Sequence, residues 1–174
     1  MRILVLGCGN LLAADDAVGL WVIRYLQKQP LPPELKLVEA GTPGLRLLDW
    51  WEAEDRVILV DAVKSGLAPG TVQRIEILSN PKERFSVNWQ GAELTDFFPS
   101  PRWSLTAHGL GIIETLELAR LTHRLPAQIV LIGIEIECEE NFRIELSREV
   151  EKAIPLAADA VQKEIQIILK NIYS

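Results

Sequence analysis

The chain predicts an α/β protein, a three-layer αβα fold in which a twisted, mainly parallel sheet of about five strands is flanked by helices. Three observations carry this. The runs Ile3–Leu6, Val57–Val60 and Ile129–Ile134 are apolar at successive positions and too short for helices, the pattern of strands covered on both faces. Stretches with helical spacing fall between them, so strand and helix alternate along the chain. The 174 residues carry no internal repeat and no low-complexity linker, which fits one domain over 1–174 with one substantial core.

In order, the first strand runs through Gly7-Cys8-Gly9 into a turn, and a helical pattern starts near Ala17. Val18, Trp21, Val22, Tyr25 and Leu26 follow i, i+3, i+4, i+7, i+8 spacing and predict its core-facing side. Pro30, Pro32 and Pro33 end that helix. Leu35–Ala40 is a second strand, and Pro43 suits the first turn of a short helix through Leu45, Leu47, Leu48 and Trp51. The third strand, within 56–63, is expected to end at Asp61. Thr71–Ile77 alternates polar and apolar residues, as an edge strand does. Residues 79–104 have no clear period, and a stretch this long without its own pattern is uncommon unless it binds or moves. A helix resumes from Ala107 with Ile112, Ile113, Leu116 and Ala119 inward, ahead of the last strand. His123 suits the C-terminal end of that helix. Ser147 is placed to cap a final helix whose apolar face is Val150, Ile154, Ala157, Val161 and Ile168, with Pro155 either kinking it or marking its start.

Composition excludes several functions. A net charge of −6 with no basic run argues against nucleic acid as a partner. No stretch of eighteen uninterrupted apolar residues is present, so a membrane is not expected either. Cys8 and Cys138 are far apart, with no C-x-x-C, which suits a reducing cytoplasm and argues against a zinc knuckle.

A strand running through a glycine turn into a helix usually suggests phosphate binding. Here Leu12 takes the place of the third glycine of G-x-G-x-x-G, and Asp15 and Asp16 bring negative charge to where a phosphate would lie. The turn is built to present carboxylates, to a cation or to the helix itself. In open parallel sheets functional groups gather beyond the carboxyl ends of the strands. Those ends hold Asp15 and Asp16, then Glu39, then Asp61, and His108 precedes the later helix. Carboxylates with an imidazole suit a borderline divalent metal. Each residue also has a plainer role: Asp15 or Asp16 can cap the helix, worth about 1 kcal/mol. Asp61 can cap a turn, Glu39 can pair with a lysine or meet a ribose, and His108 can be an ordinary loop histidine. Cys8 is read as a small packing residue, its thiol kept protonated by the neighbouring acids.

Four motifs in register then resemble a known family. They are Met1–Leu12 with Asp15-Asp16-Ala17-Val18-Gly19, Glu39-Ala40-Gly41-Thr42-Pro43-Gly44, Val60-Asp61-Ala62, and Ser104-Leu105-Thr106-Ala107-His108-Gly109-Leu110. Together they resemble the nickel–iron hydrogenase maturation endopeptidases. The resemblance implies an enzyme that removes a C-terminal extension from the hydrogenase large-subunit precursor after nickel insertion. It implies that Asp16, Asp61 and His108 contact nickel carried by that substrate, and that Glu39 takes part in function. Many members have Glu where this chain has Asp16, one methylene shorter.

Three rivals remain open on the residues. A dinucleotide-binding Rossmann-like module would use Gly7, Gly9 and Glu39, against which stand Leu12 and the Asp pair. A self-sufficient metallohydrolase would carry its own ion, and a non-catalytic binding protein would use the aromatic 79–104 stretch.

Overall fold

The structure, a computed structural model, describes residues 2–53, 55–78, 86–89, 92–94, 112–137 and 142–173. Strand β1 (Ile3–Cys8) pairs in parallel with β2 (Leu35–Gly41) on one side and β3 (Arg56–Val63) on the other. Strand β3 pairs in parallel with β7 (Gln128–Glu135). Strand β4 (Val72–Leu78) runs antiparallel to β7, and the short strands β5 (Ser86–Trp89) and β6 (Ala92–Leu94) continue the sheet in the order β2-β1-β3-β7-β4-β5-β6. The five longer strands form the body expected from the sequence. β4 differs from the expectation. It is flanked by β7 and β5 rather than lying at an edge, and its alternation has another cause: Gln73 is buried and Arg74 binds Glu164 of the last helix at 2.7 Å.

Side-chain alternation splits the core between the two faces of this sheet. Ile3, Val5, Ile58 and Val60 pack with helices α1 (Val18–Leu26) and α3 (Arg148–Tyr173). Leu4, Leu6, Cys8, Leu59 and Val63 pack on the opposite face with Leu47, Trp51 and the Leu116 and Ala119 side of α2 (Ile112–Leu121). The result is the expected αβα sandwich.

Several local expectations shift. Tyr25 is exposed, and the buried face of α1 is Val18, Val22, Ile23 and Leu26 instead. The segment after Pro43 is a 3-10 helix, Gly44–Asp49. Helix α3 begins at Arg148, so Pro155 lies inside it rather than at its start, and Ser147 Oγ accepts the Val150 amide at 3.5 Å as a cap. His123 does follow α2, in a left-handed conformation with φ 56°. The rest of the 79–104 stretch, the start of the helix expected from Ala107, His108 and Cys138 lie outside the described residues.

Candidate active site

Strand β1 delivers the chain to the carboxyl edge of the sheet, where two glycines let the turn close. Gly9 adopts φ +132°, and a Cβ there would fall 1.9 Å from the Asp16 carbonyl oxygen. At Gly19 a Cβ would meet the carbonyl oxygens of Cys8 and Val60 at 2.3 Å, so only glycine lets α1 settle onto β1 and β3. Between them the chain makes a 3-10 turn, Ala14–Ala17, in which Asp15 and Asp16 are each 1% exposed.

Neither acid caps the helix that follows, contrary to the simpler sequence reading: no side-chain cap bond exists on this turn or on α1. Asp16 Oδ2 accepts the backbone amide of Asn10 at 2.6 Å, across the base of the turn. Asn10 Oδ1 in turn accepts the Leu12 amide at 3.0 Å. Asp15 faces elsewhere, and its Oδ1 accepts the Ser147 amide at the head of α3 at 2.6 Å. Adjacent in sequence, the two carboxylates serve different neighbours.

Asp61 is not at the end of its strand. β3 continues to Val63, and Asp61 lies opposite Gly133 of β7. Alternation puts it on the face shared by Leu59, Val63 and Cys8, where it is fully buried. Its Oδ1 accepts the amide of Ala62 at 2.9 Å, and its buried Oδ2 has no hydrogen-bond partner among the described residues. Burial pushes the Asp61 carboxyl well above the usual carboxylate range, and the negative charge of Asp16 pushes it further, against the weaker pull of the Ala62 bond. Burial likewise raises the Cys8 thiol, with the charges of Asp61 and then Asp16 adding to it, so Cys8 is an inert, protonated neighbour.

Glu39 stands apart. It neighbours the buried Val38 on β2 but points to the α1 face, where Arg24 grips it at 2.8 and 3.2 Å. The pair is one-third exposed, and the Arg24 guanidinium also lies 5.0 Å over the Trp21 ring. The partner is therefore an arginine, not the lysine considered from sequence. Among the described residues no group of three or more His, Cys, Asp or Glu side chains is arranged to hold a metal ion. What is brought together is a pair, Asp16 and Asp61. Two buried acids of this kind can together hold one cation.

Sequence reasoning missed one buried carboxylate near this edge. Glu135, 2% exposed at the end of β7, accepts the Ser65 and Gly66 amides at 2.7 and 2.8 Å. It also accepts the Ser65 hydroxyl at 2.5 Å and Gln73 Nε2 at 3.0 Å. These bonds pin the loop that leaves β3 just beyond Asp61. The available signal was a lone acid closing an apolar run, the same signal that marked Asp61.

The sequence and fold match known proteins along most of the chain. The family model described as hydrogenase maturation protease matches residues 20–87 and 96–164. The chain belongs to the hydrogenase maturation protease family. Its enzyme class is therefore an endopeptidase, a peptide-bond hydrolase. It is 34% identical to the hydrogenase expression/formation protein HoxM of Cupriavidus necator over 95% of its own length and 73% of that protein's. It is 31% identical to the hydrogenase 2 maturation protease of Escherichia coli, covering 92% of this chain and 88% of that one. Among solved structures, the hydrogenase maturating endopeptidase HybD from E. coli superposes with a TM-score of 0.75 at 30% identity, over 95% of this chain and 93% of that one. The NiFe hydrogenase maturation protease HybD from Thermococcus kodakarensis superposes with a TM-score of 0.65, also at 30% identity, over 94% of this chain and 98% of that one. A dinucleotide-binding module is thereby set aside.

Proposed function

We propose that this protease removes the C-terminal extension of a nickel–iron hydrogenase large-subunit precursor after nickel insertion, acting in the cytoplasm as one domain. In this reading Asp16 and Asp61, with His108, meet the nickel that the substrate already carries. The observation that carries it is the buried coupling of Asp16 and Asp61 at the carboxyl edge of the sheet, in a chain of this family. The donor set fits the task. Two carboxylates are harder donors than the thiolates that retain soft metals, and a pair is too few to close a structural site. A metal held mainly by the substrate's own ligands would complete it.

The chain's residues then have distinct work. Asp61 is fixed within β3, and its buried Oδ2 is the oxygen left without a hydrogen-bond partner among the described residues. Asp16, anchored by Asn10, supplies the second carboxylate from the turn. A cation held by the pair would offset the burial and the Asp16 charge that raise Asp61, so recognition draws on differential stabilisation of the loaded substrate. Hydrolysis adds water across one peptide bond, leaving a new C-terminal carboxylate and freeing the extension's amine. No helix among the described residues is long and apolar enough to cross a membrane, and Cys8 is a free buried thiol; both accord with a cytoplasmic site.

The test uses metal-stripped enzyme with three substrates: nickel-free precursor, nickel-free precursor plus excess free nickel, and nickel-loaded precursor. The expected result is cleavage of the loaded precursor alone, read at the C-terminus by mass spectrometry, with only weak nickel binding to the enzyme by itself. Equal cleavage of all three overturns the nickel reading and leaves an ordinary peptidase.

A further inference from the structure

We propose that Asp15 is a positioning residue: by holding the Ser147 amide it fixes the 14–17 turn, and so holds Asp16 within reach of Asp61. This rests on the reading of Asp16 and Asp61 as the substrate-facing pair, but part of its test does not.

The turn's own backbone bonds, from the Asp16 amide to Ala13 O and from the Ala13 amide to Asn10 O, both at 3.1 Å, are joined by ties from a distant part of the chain. Ala13, at its N-cap, makes no side-chain cap bond. Ala14 sits at φ 47°, a left-handed conformation unfavourable for an L-residue with a Cβ. Such a conformation persists only where surrounding structure over-determines it. Those ties come from residues 142–147, more than a hundred positions away. Leu12 O accepts the Phe142 and Arg143 amides at 2.5 and 3.2 Å, and the Ala14 amide donates to Arg143 O at 2.8 Å. Asp15 closes the series with a side-chain bond, 2.6 Å to the Ser147 amide.

The head of α3 has less need of that bond. Ser147 supplies its own cap to Val150, its carbonyl accepts the Glu151 amide at 2.9 Å, and Glu149 and Glu151 lie in the first turn where the helix dipole favours acids. Asp15 is committed through a single oxygen, since its buried Oδ2 has no hydrogen-bond partner among the described residues. Its neighbour Asp16 reaches Asn10 from the other side of the same 3-10 turn, so rotation of the turn at Ala14 would move Asp16 directly.

The experiment compares Asp15→Leu, Asp15→Asn and Ser147→Pro in the full-length protein. Asparagine keeps an oxygen acceptor for Ser147; leucine fills the space without one; proline at 147 removes the donor, along with the Val150 cap, and leaves the Asp15 charge. Ser147→Ala, which loses only the cap, is the control expected to match wild type. Two readouts are taken: kcat and KM on nickel-loaded precursor, and the chemical shift of the Asn10 amide, which reports where Asp16 lies. Asp15→Leu and Ser147→Pro are expected to lower kcat at least tenfold with KM within twofold and to move the Asn10 amide upfield. A displacement of about 1 Å is enough for such a loss. Asp15→Asn is expected within threefold of wild type, with the amide unmoved. A leucine or proline variant with native kcat and an unmoved Asn10 amide would overturn the proposal, as would Asn behaving like Leu, which would assign the effect to charge. If Asp15→Leu does not fold, Ser147→Pro decides alone. If the wild type fails to cut loaded precursor, the functional reading falls, while the Asn10 amide still decides whether Asp15 positions Asp16.

Discussion

Asp61 is raised in pKa by its burial and then by the negative charge of Asp16, although one residue lies inside β3 and the other in a turn after β1. Burial alone makes Asp61 reluctant to ionise, and a second buried acid nearby compounds the effect. Nothing in the described core gains from this arrangement, which is the expected signature of a site kept for function at a cost in stability.

Asp61→Asn should therefore separate the two. Processing of loaded precursor should be lost, since a neutral amide is a poor ligand for a divalent cation. Stability should hold or rise, by up to about 1 kcal/mol, as a fully buried ionisable group is replaced by a neutral one. For a chain of this size that is a Tm increase of roughly 2–4 °C at most, measurable by calorimetry. A variant that unfolds would show that Asp61 is structural, and one that processes at the native rate would show that it is misassigned to the site.

At position 16 the charge matters more than the length. Asp16→Glu should keep activity, restoring the commoner residue of the family, while Asp16→Asn should lose it. Both should keep a native circular dichroism spectrum. Loss in Asp16→Glu together with retention in Asp16→Asn would reassign the residue to a purely local role at the Asn10 amide.

His108→Ala should abolish processing with a melting temperature within a few degrees of wild type. The expectation rests on the Ser104–Leu110 motif. Native-rate processing by the alanine variant would remove the imidazole from the site.

Glu39→Gln is expected to have a small effect. Its carboxylate is engaged by Arg24 on the α1 face, and a one-third exposed pair contributes on the order of 0–1 kcal/mol. Processing within threefold of wild type would confirm an ion-pair role. A hundredfold loss in kcat with unchanged stability would restore Glu39 to the catalytic set.

The central strands were legible because β1, β3 and β7 are apolar on consecutive residues, which only a doubly covered strand explains. Asp61 was visible as a polar interruption but read as a strand end, because a fully buried charge inside a strand is too costly to expect without a purpose. The position of β4 was hidden for a similar reason. Gln73 and Arg74 look solvent-facing, yet one is buried on Glu135 and the other reaches Glu164 in α3. The separate duties of Asp15 and Asp16 could not be read locally, since Ser147 is 132 residues from Asp15. Adjacent acids look alike until their partners are known.

The last prediction concerns pH and the opposite edge of the sheet, far from the candidate site. Asp55 is 1% exposed and accepts four hydrogen bonds: from the Arg2 amide at 3.0 Å, Arg2 Nε at 3.2 Å, Arg2 Nη2 at 2.5 Å and the Glu52 amide at 2.8 Å. Burial pushes this carboxyl up, but the bonds from Arg2 and the Glu52 amide outweigh it and hold the pKa below the ordinary value. A folded-state pKa below the unfolded value of about 3.9 means the unfolded chain binds the extra proton. The contribution is then complete above that value and lost as pH falls through the folded pKa. Arg2 is nearly half exposed, so its ion-pair part is screened and the amide bonds matter most. Asp55→Ala should cost about 2 kcal/mol at neutral pH, because it removes the acceptor of four part-buried hydrogen bonds. The measurement is urea unfolding of wild type and Asp55→Ala from pH 7 down to pH 3. The gap between them should narrow at the acidic end, and a gap that stays constant would show that Asp55 acts through packing rather than through its charge.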